Sequence, residues 1–154
     1  MPIFYIGLGS NVGGRERNCE KAVSILKERG VSILKMSSLY ETPPWGVEDQ
    51  PDFINMVVEA EAELRPLELL NLLKEIESDM GRVKTYRWGP RLIDLDILFY
   101  DTLVVDTPEL KIPHPYIEKR EFVLRPLSEI APGLRHPVTG KTVREMLESL
   151  EAQA

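Results

Sequence analysis

The sequence predicts an α+β fold in which one antiparallel sheet carries helices on one face. Apolar runs of strand length and segments with helical apolar spacing follow one another in the order strand, helix, strand, strand, helix, strand. This order is the split βαβ pattern of a ferredoxin-like sandwich. The 154 residues are enough for one compact domain, so we predict a single domain over residues 1–154.

The first three strands are predicted from hydrophobic patterning. Residues 3–9 are almost continuously apolar, as in a central strand that is covered on both faces. The helix that follows ends at Gly30 and holds the only cysteine, Cys19, which we expect to be buried. Residues 31–41 and 53–64 are the next two strands. The two prolines after the first of these must lie in a loop, because proline cannot donate to a sheet ladder.

The second helix and the last strand of the sheet come next. Pro66 stands at the helix start, where proline is preferred, and Gly81 ends an apolar stripe with helical spacing. Residues 92–100 have the composition of a strand, and a turn at residues 101–102 is expected to pair them with residues 103–105 as a short hairpin.

Beyond this hairpin, frequent prolines predict a loop-rich region. They stand at positions 108, 113, 115, 126, 132 and 137. A C-terminal helix is predicted to begin at Thr142, because its hydroxyl and the side chain of Glu145 have the spacing of a capping box.

Composition and charge exclude several classes of protein. Hydrophobic residues make up 43% and charged residues 29%, which is typical of a globular rather than a disordered chain. The formal net charge of -6 weighs against a protein that coats nucleic acid. No apolar run approaches the roughly 20 residues that span a bilayer, and the N-terminus lacks a basic leader. We therefore expect a cytoplasmic protein with neither a membrane nor a nucleic-acid partner.

Two aspartates, Asp94 and Asp96, lie two positions apart in the last predicted strand. Residues i and i+2 share a face of a strand, with Cα atoms about 6.5 Å apart at a rise of about 3.3 Å per residue. Carboxylates at that separation suit two magnesium ions, because magnesium prefers oxygen ligands and paired metal ions lie about 3.5–4 Å apart. A solvated strand face would accept both aspartates as well, so the spacing alone leaves both interpretations open.

A basic segment leads directly into this acidic strand. It contains no acid and four cations: Arg82, Lys84, Arg87 and Arg91. A nucleoside triphosphate requires cations on its phosphate oxygens and a bridging metal, and arginine can grip two such oxygens at once. The basic segment and the aspartates together therefore favour phosphate binding over a merely solvated loop.

A third group of residues suits a planar heterocycle that is rich in hydrogen-bonding groups. Phe53 and Asn55 share a face of their strand, and the Asn55 amide needs partners if it is buried. Further rings come from separate loops: Trp45, Trp88 and Phe122. Any one of these rings is more often part of a core than of a ligand site, so this group is only suggestive. His114, between two prolines, is equally compatible with phosphate binding and with a structural turn.

The segment RWGPRLIDLDIL, residues 87–98, resembles the signature of the 6-hydroxymethyl-7,8-dihydropterin pyrophosphokinase family. Further segments resemble family segments in the same order: GLGSN at 7–11, YETPP at 40–44, QPDFIN at 50–55, Gly81-Arg82, and residues 113–127. The resemblance covers essentially the whole chain. It implies a ferredoxin-like fold and a monomeric enzyme of folate biosynthesis that transfers pyrophosphate from MgATP to the pterin alcohol and releases AMP.

The same resemblance implies a role for individual residues. Asp94 and Asp96 would bind two magnesium ions, and Arg82 and Arg91 would act on the transferred phosphates. As a hypothesis about mechanism, Asp96 would also help to deprotonate the hydroxyl, a role that is not separable from its role as a metal ligand. The nucleotide would contact Leu70, Lys74, Glu77, Lys84, Arg87, Ile97, Lys111, His114, Tyr116 and Arg120. The pterin would contact Thr42, Pro43, Pro44, Trp45, Gly46, Phe53, Asn55, Trp88 and Phe122.

Two other functions compete with this interpretation. Ferredoxin-like RNA-binding modules stack bases on sheet aromatics, but the chain has no run that resembles their aromatic, glycine-rich strand motif, and its net acidity opposes RNA binding. A sensor that binds ATP without turnover would need the same phosphate site. Release of AMP that depends on the pterin separates the enzyme from such a sensor.

Overall fold

Five strands form one antiparallel sheet within the described ranges of the computed structural model, residues 1–44, 49–81 and 92–153. The strands are β1 (Ile3–Ser10), β2 (Ser32–Met36), β3 (Tyr40–Thr42), β4 (Phe53–Glu61) and β5 (Asp94–Tyr100). The helices are α1 (Arg15–Glu28), α2 (Pro66–Asp79), α3 (Glu121–Ile130) and α4 (Val143–Ala152), with a 3₁₀ turn at Ile117–Lys119. A separate two-stranded ribbon consists of β6 (Val105–Asp106) and β7 (Lys111–Ile112).

The sheet has the order β2–β4–β1–β5, and β3 pairs with β4 beyond the end of β2. The strand predicted over residues 31–41 is therefore two strands. They are separated at Ser37, whose hydroxyl accepts a hydrogen bond from the Val57 N–H at 2.9 Å. Because a side chain replaces the backbone acceptor at this point, the regular ladder is interrupted before it resumes at β3.

The order of the elements, with α1 and α2 on one face of the sheet, confirms the predicted ferredoxin-like sandwich. On this first face, the fully buried side chains of Phe4 and Ile6 in β1 belong to one apolar cluster with both helices. Cys19 lies in the same cluster and is buried, as expected. Burial of this continuous apolar layer is the main force that holds the two helices against the sheet.

The opposite, second face of the sheet is covered by α3 and α4, whereas the sequence predicted helices on one face only. The prediction assigned the proline-rich last third of the chain to loops, but part of it forms α3, which contains Pro126 within its ten residues. Proline removes one helical donor. The side chains of Leu124 and Leu127 are fully buried against the second face, and this burial offsets the loss.

The predicted hairpin between residues 92–100 and 103–105 is wrong. Val105 pairs with Ile112 in the separate ribbon. The chain leaves the sheet at Asp101, whose N–H donates to the Ile3 carbonyl at 2.7 Å and whose carboxylate accepts from the Ile3 N–H at 2.9 Å. These two bonds satisfy the backbone at the end of β5 against β1, so the following residues do not fold back along β5.

The C-terminal helix begins as predicted. The Thr142 hydroxyl accepts from the Glu145 N–H at 3.1 Å, and the Glu145 carboxylate accepts from the Thr142 N–H at 2.9 Å. This capping box satisfies two backbone donors at the start of α4. None of the helices in the described ranges is both long enough and apolar enough to cross a membrane.

Candidate active site

A pocket of about 240 Å³ opens on the second face of the sheet. It brings together residues that the sequence analysis placed in three separate groups: the acidic pair, the aromatic and amide group, and the residues of the proline-rich region. The members that line it are Thr42, Pro43, Phe53, Asn55, Asp94, Asp96, His114, Arg120 and Phe122. The chain therefore converges on one concave site from β3, β4, β5 and the start of α3.

The floor of the pocket is made by glycine. Gly9 pairs with Asn55 of β4 on one side and with Asp94 of β5 on the other. Gly7, one row further along, pairs with Val57 and Asp96 in the same manner. The sequence analysis did not name these glycines as site residues. The signal was present, since glycines two apart in a buried strand leave one face of it without side chains.

The two aspartates project from one face of β5, as their spacing predicts. They are half-buried and line the pocket, whereas Leu95 between them is buried in the apolar cluster of the first face. The register between β1 and β5 shifts by one residue after Ile97, so that both Leu98 and Phe99 join the apolar cluster of the second face. This irregularity packs the end of β5 under the helices while the aspartates stay in the pocket.

Arg120 is the principal cation of the pocket in the part of the chain that the structure describes. Its side chain is only 11% exposed, and its Nη1 atom lies 4.0 Å from the Asp96 carboxylate. The guanidinium carbon lies 5.5 Å from the ring centre of Tyr116 and 5.4 Å from that of Phe122. Burial lowers the pKa of Arg120, and the Asp96 and Asp94 carboxylates oppose this effect. The site therefore holds a fixed positive charge opposite two negative ones.

His114 lies between Arg120 and the end of β5. Its Nε2 atom is 3.3 Å from Arg120 Nη1, and its backbone N–H donates to the Leu98 carbonyl at 3.1 Å. The pKa of His114 is lowered to about 4, mainly by burial and secondarily by the positive charge of Arg120. The imidazole is therefore neutral at neutral pH, with one ring nitrogen as donor and the other as acceptor. In one tautomer Nε2 accepts a hydrogen bond from the guanidinium; in the other, Nδ1 accepts from the Tyr116 N–H at 3.3 Å.

This lowered pKa predicts a pH-dependent stability. The unfolded chain, with an ordinary histidine pKa of 6.5, binds a proton that the folded chain does not bind until about pH 4. The folded state therefore loses stability as the pH falls through this window. Between about pH 7 and about pH 4.5, we expect the free energy of unfolding to fall by about 2–3 kcal/mol more in the wild type than in His114→Gln. Urea unfolding at both pH values measures the difference. Equal falls would contradict the assignment.

On the β4 side of the pocket, the Asn55 amide is held in one orientation. Asn55 is 6% exposed, and its Nδ2 atom donates to the Thr42 hydroxyl at 2.5 Å. Thr42 belongs to the edge strand β3, which pairs with β4 through Thr42 and Phe53. A buried amide of this kind is a rigid donor and acceptor for the edge of a ligand.

One carboxylate ties the wall formed by α3 to the edge of the sheet. Glu129 accepts from the Ser38 N–H at 2.9 Å, from the Ser38 hydroxyl at 3.0 Å and from the Tyr40 hydroxyl at 2.7 Å. The Tyr40 bond is the main cause that lowers the pKa of Glu129. This connection joins the helix that carries Phe122 to the edge of the sheet that carries Thr42.

Other predicted nucleotide contacts lie outside the pocket. Leu70 and Ile97 pack in the first-face cluster, and Lys74 is exposed on α2. Glu77 is buried and accepts a hydrogen bond from the Leu95 N–H at 2.8 Å, which caps the outer edge of β5. Lys111 is exposed and pairs with Asp106 at 2.5 Å. These residues lie on α2, β5 and β7, and both α2 and β7 contact β5.

Tyr116 lies beside the pocket against Arg120, and Pro44 follows the lining residue Pro43. The remaining predicted site residues fall outside the described ranges. They are Trp45, Gly46, Arg82, Lys84, Arg87, Trp88 and Arg91. Their roles stay predictions from the sequence.

The sequence of this chain is similar to those of known pyrophosphokinases. The model of the 7,8-dihydro-6-hydroxymethylpterin-pyrophosphokinase (HPPK) family matches residues 5–132. The 2-amino-4-hydroxy-6-hydroxymethyldihydropteridine pyrophosphokinase of Aquifex aeolicus is 46% identical over 145 residues, which make up 94% of this chain and 90% of that protein. The protein of the same name from Bacillus subtilis is 46% identical over 138 residues, 89% of this chain and 83% of that protein.

Longer proteins also contain a similar region. The folic acid synthesis protein fol1 of Schizosaccharomyces pombe is 43% identical over 152 residues, 98% of this chain but 21% of that protein. The solved structure of Plasmodium falciparum HPPK-DHPS with pteroate superimposes with a TM-score of 0.81 at 18% identity, over 99% of this chain and 43% of that chain. This chain thus spans less than half of that solved chain, and the likeness shows the fold. With the family model matched over most of its length, the chain belongs to the 7,8-dihydro-6-hydroxymethylpterin-pyrophosphokinase family.

Proposed function

We propose that this chain transfers the terminal pyrophosphate of ATP to the hydroxymethyl group of 6-hydroxymethyl-7,8-dihydropterin, and that the pocket on the second face of the sheet is its active site. One observation carries the proposal. One pocket is lined by a carboxylate pair, by a buried arginine 4.0 Å from one of these carboxylates, by an oriented amide and by two aromatic rings. This arrangement suits a substrate that has a flat heterocycle on one side and a phosphorylated group on the other.

The pterin is proposed to occupy the end near Asn55. Phe53 and Phe122 supply apolar ring faces there, and the Asn55 amide supplies both a donor and an acceptor. Asn55 and Asp94 stand on either side of Gly9, two strand spacings apart, which is about 10 Å. A two-ring heterocycle whose edge is bound at Asn55 would therefore carry its hydroxymethyl group over the glycine floor toward the aspartates.

Asp94 and Asp96 fit magnesium by the chemistry of their donors. Both present hard oxygen atoms on one face of the pocket, and they belong to no cluster of three or more metal-binding side chains in the described ranges. Magnesium is commonly held by one or two carboxylates and completes its shell with water and substrate phosphates. We propose two such ions. When bound, they would neutralise phosphate charge and lower the pKa of the attacking hydroxyl.

The side chains of the pocket then have separate tasks. The pterin hydroxymethyl oxygen attacks the β phosphorus of ATP in line, the new O–P bond forms as the bond to the α-phosphate oxygen breaks, and AMP leaves. Asp96 accepts the hydroxyl proton, and the Arg120 guanidinium donates hydrogen bonds to the phosphate oxygens. His114, neutral at neutral pH, orients that guanidinium. Such a reaction depends mainly on positioning and charge stabilisation.

The decisive experiment measures AMP in a coupled assay with ATP, magnesium and the reduced pterin alcohol. We expect AMP to form only when all three are present, in an amount equal to the pterin consumed. ATP binding without pterin-dependent AMP would overturn the proposal in favour of a nucleotide sensor. Retention of labelled RNA on a filter, without AMP formation, would favour an RNA-binding module. Gel filtration with light scattering tests the predicted monomer, and the cytoplasmic location stays a prediction.

A further inference from the structure

Gly9 lies where any side chain would clash with Asn55, a residue of the proposed pterin site. A Cβ atom built on Gly9 would lie 2.9 Å from Asn55 Oδ1 and 3.5 Å from Cδ1 of Phe53. A carbon–oxygen approach of 2.9 Å is well inside ordinary van der Waals contact, which begins near 3.4–4 Å. Gly9 is not among the glycines with positive φ, so its backbone does not require glycine, and the requirement is spatial.

The Asn55 amide cannot move away from such a clash without losing its hydrogen bond to Thr42. Asn55 is buried in the centre of the sheet, and its backbone pairs with β1 on one side and with β3 on the other. Its amide nitrogen donates a hydrogen bond to the Thr42 hydroxyl at 2.5 Å. A rotation that relieves the contact would break this bond and would misdirect a buried polar group. The collision therefore alters the orientation of the amide rather than the path of the strand.

We propose that Gly9 is a positioning residue of the pterin site, because the empty space above it lets the Asn55 amide and the Phe53 ring lie over β1. The inference rests on the proposed function. Gly9 acts on the pterin through Asn55, so its effect is specific to the pterin and depends on the presence of the Asn55 side chain. ATP, which is proposed to bind on the side of Asp96 and Arg120, is unaffected.

Steady-state kinetics on four proteins test this inference: wild type, Gly9→Ala, Asn55→Ala and the double variant. We expect Gly9→Ala to raise the KM for the pterin about tenfold or more and to leave the KM for ATP within twofold. In the Asn55→Ala background, where the colliding atom is absent, the same alanine should change the pterin KM by less than twofold. Independent, multiplicative effects of the two substitutions would overturn the role of Gly9, and so would an equal rise in both KM values.

Gly7→Ala is the matched steric control on the same face of β1. Its Cβ would lie 3.4 and 3.5 Å from the two methyl groups of Leu98, which is ordinary van der Waals contact. We expect a clearly smaller rise in the pterin KM than for Gly9→Ala; an equal rise would mean that any added methyl on this face disturbs the site, and would overturn the inference.

If Gly9→Ala does not fold, recovery of folding in the double variant supports the collision, and failure of both contradicts it. An unchanged pterin KM in Asn55→Ala alone would instead refute the proposed pterin site.

Discussion

Asp96→Asn is expected to lower kcat by about 10³-fold or more, equivalent to about 4 kcal/mol of transition-state stabilisation. The substitution keeps the shape of the side chain but removes the negative charge that the proposed magnesium site requires. Asp94→Asn should have a comparable effect, because both carboxylates line the same end of the pocket. The turnover number at saturating ATP and pterin, measured over a range of magnesium concentrations, provides the test.

The fold should survive this change. Asp96 is half-buried in the wall of the pocket, and its carboxylate is 4.0 Å from Arg120 Nη1, which is long for an ion pair. We therefore expect the melting temperature to stay within a few degrees of the wild type. Glu20→Gln removes one carboxylate from the exposed side of α1, away from the pocket, and serves as the matched control. Turnover of Asp96→Asn near that of Glu20→Gln would remove the metal-binding role from the acidic pair.

Arg120→Met is expected to lower kcat/KM for ATP by about 10²–10³-fold, equivalent to about 3–4 kcal/mol. Methionine retains apolar contact with Tyr116 and Phe122 but presents no charge to the phosphates. Arg120→Lys should recover only part of the loss, because an ammonium group cannot grip two oxygens at once and does not stack on rings as a guanidinium does. The initial rate of AMP formation as a function of ATP concentration measures both variants.

Arg125→Met, in α3, which begins directly after Arg120, is the matched control for charge. Arg125 is about half-exposed and forms surface pairs with Glu121 and Glu151. Surface pairs of this kind contribute little, so the control should keep nearly full activity. If Arg120→Met behaves like Arg125→Met, the buried guanidinium has no part in phosphate binding. A loss caused by unfolding is distinguished by measuring the unfolding free energy of both variants, because breaking buried contacts can itself destabilise a fold.

Local patterns predicted the central part of the fold well. The period of two placed Asp94 and Asp96 on one strand face, and the capping box located the start of α4. The errors concern features that depend on distant contacts. Ser37 interrupts an edge strand through a bond to Val57, Asp101 turns the chain away by bonding to Ile3, and α3 tolerates a proline because its leucines are buried. No short window of sequence contains these partners.

The sequence by itself determined which side chains share a strand face: the two aspartates on β5, and Phe53 with Asn55 on β4. Alternation along a strand is a property of the backbone, so it can be read from spacing alone. Only the tertiary structure decided that both pairs face the same pocket, with Gly9 between them and with His114, Arg120 and Phe122 opposite. That arrangement depends on strand register and on the packing of α3 over the second face. Both arise from contacts between residues far apart in the chain, and the sequence pattern of any one element does not contain them.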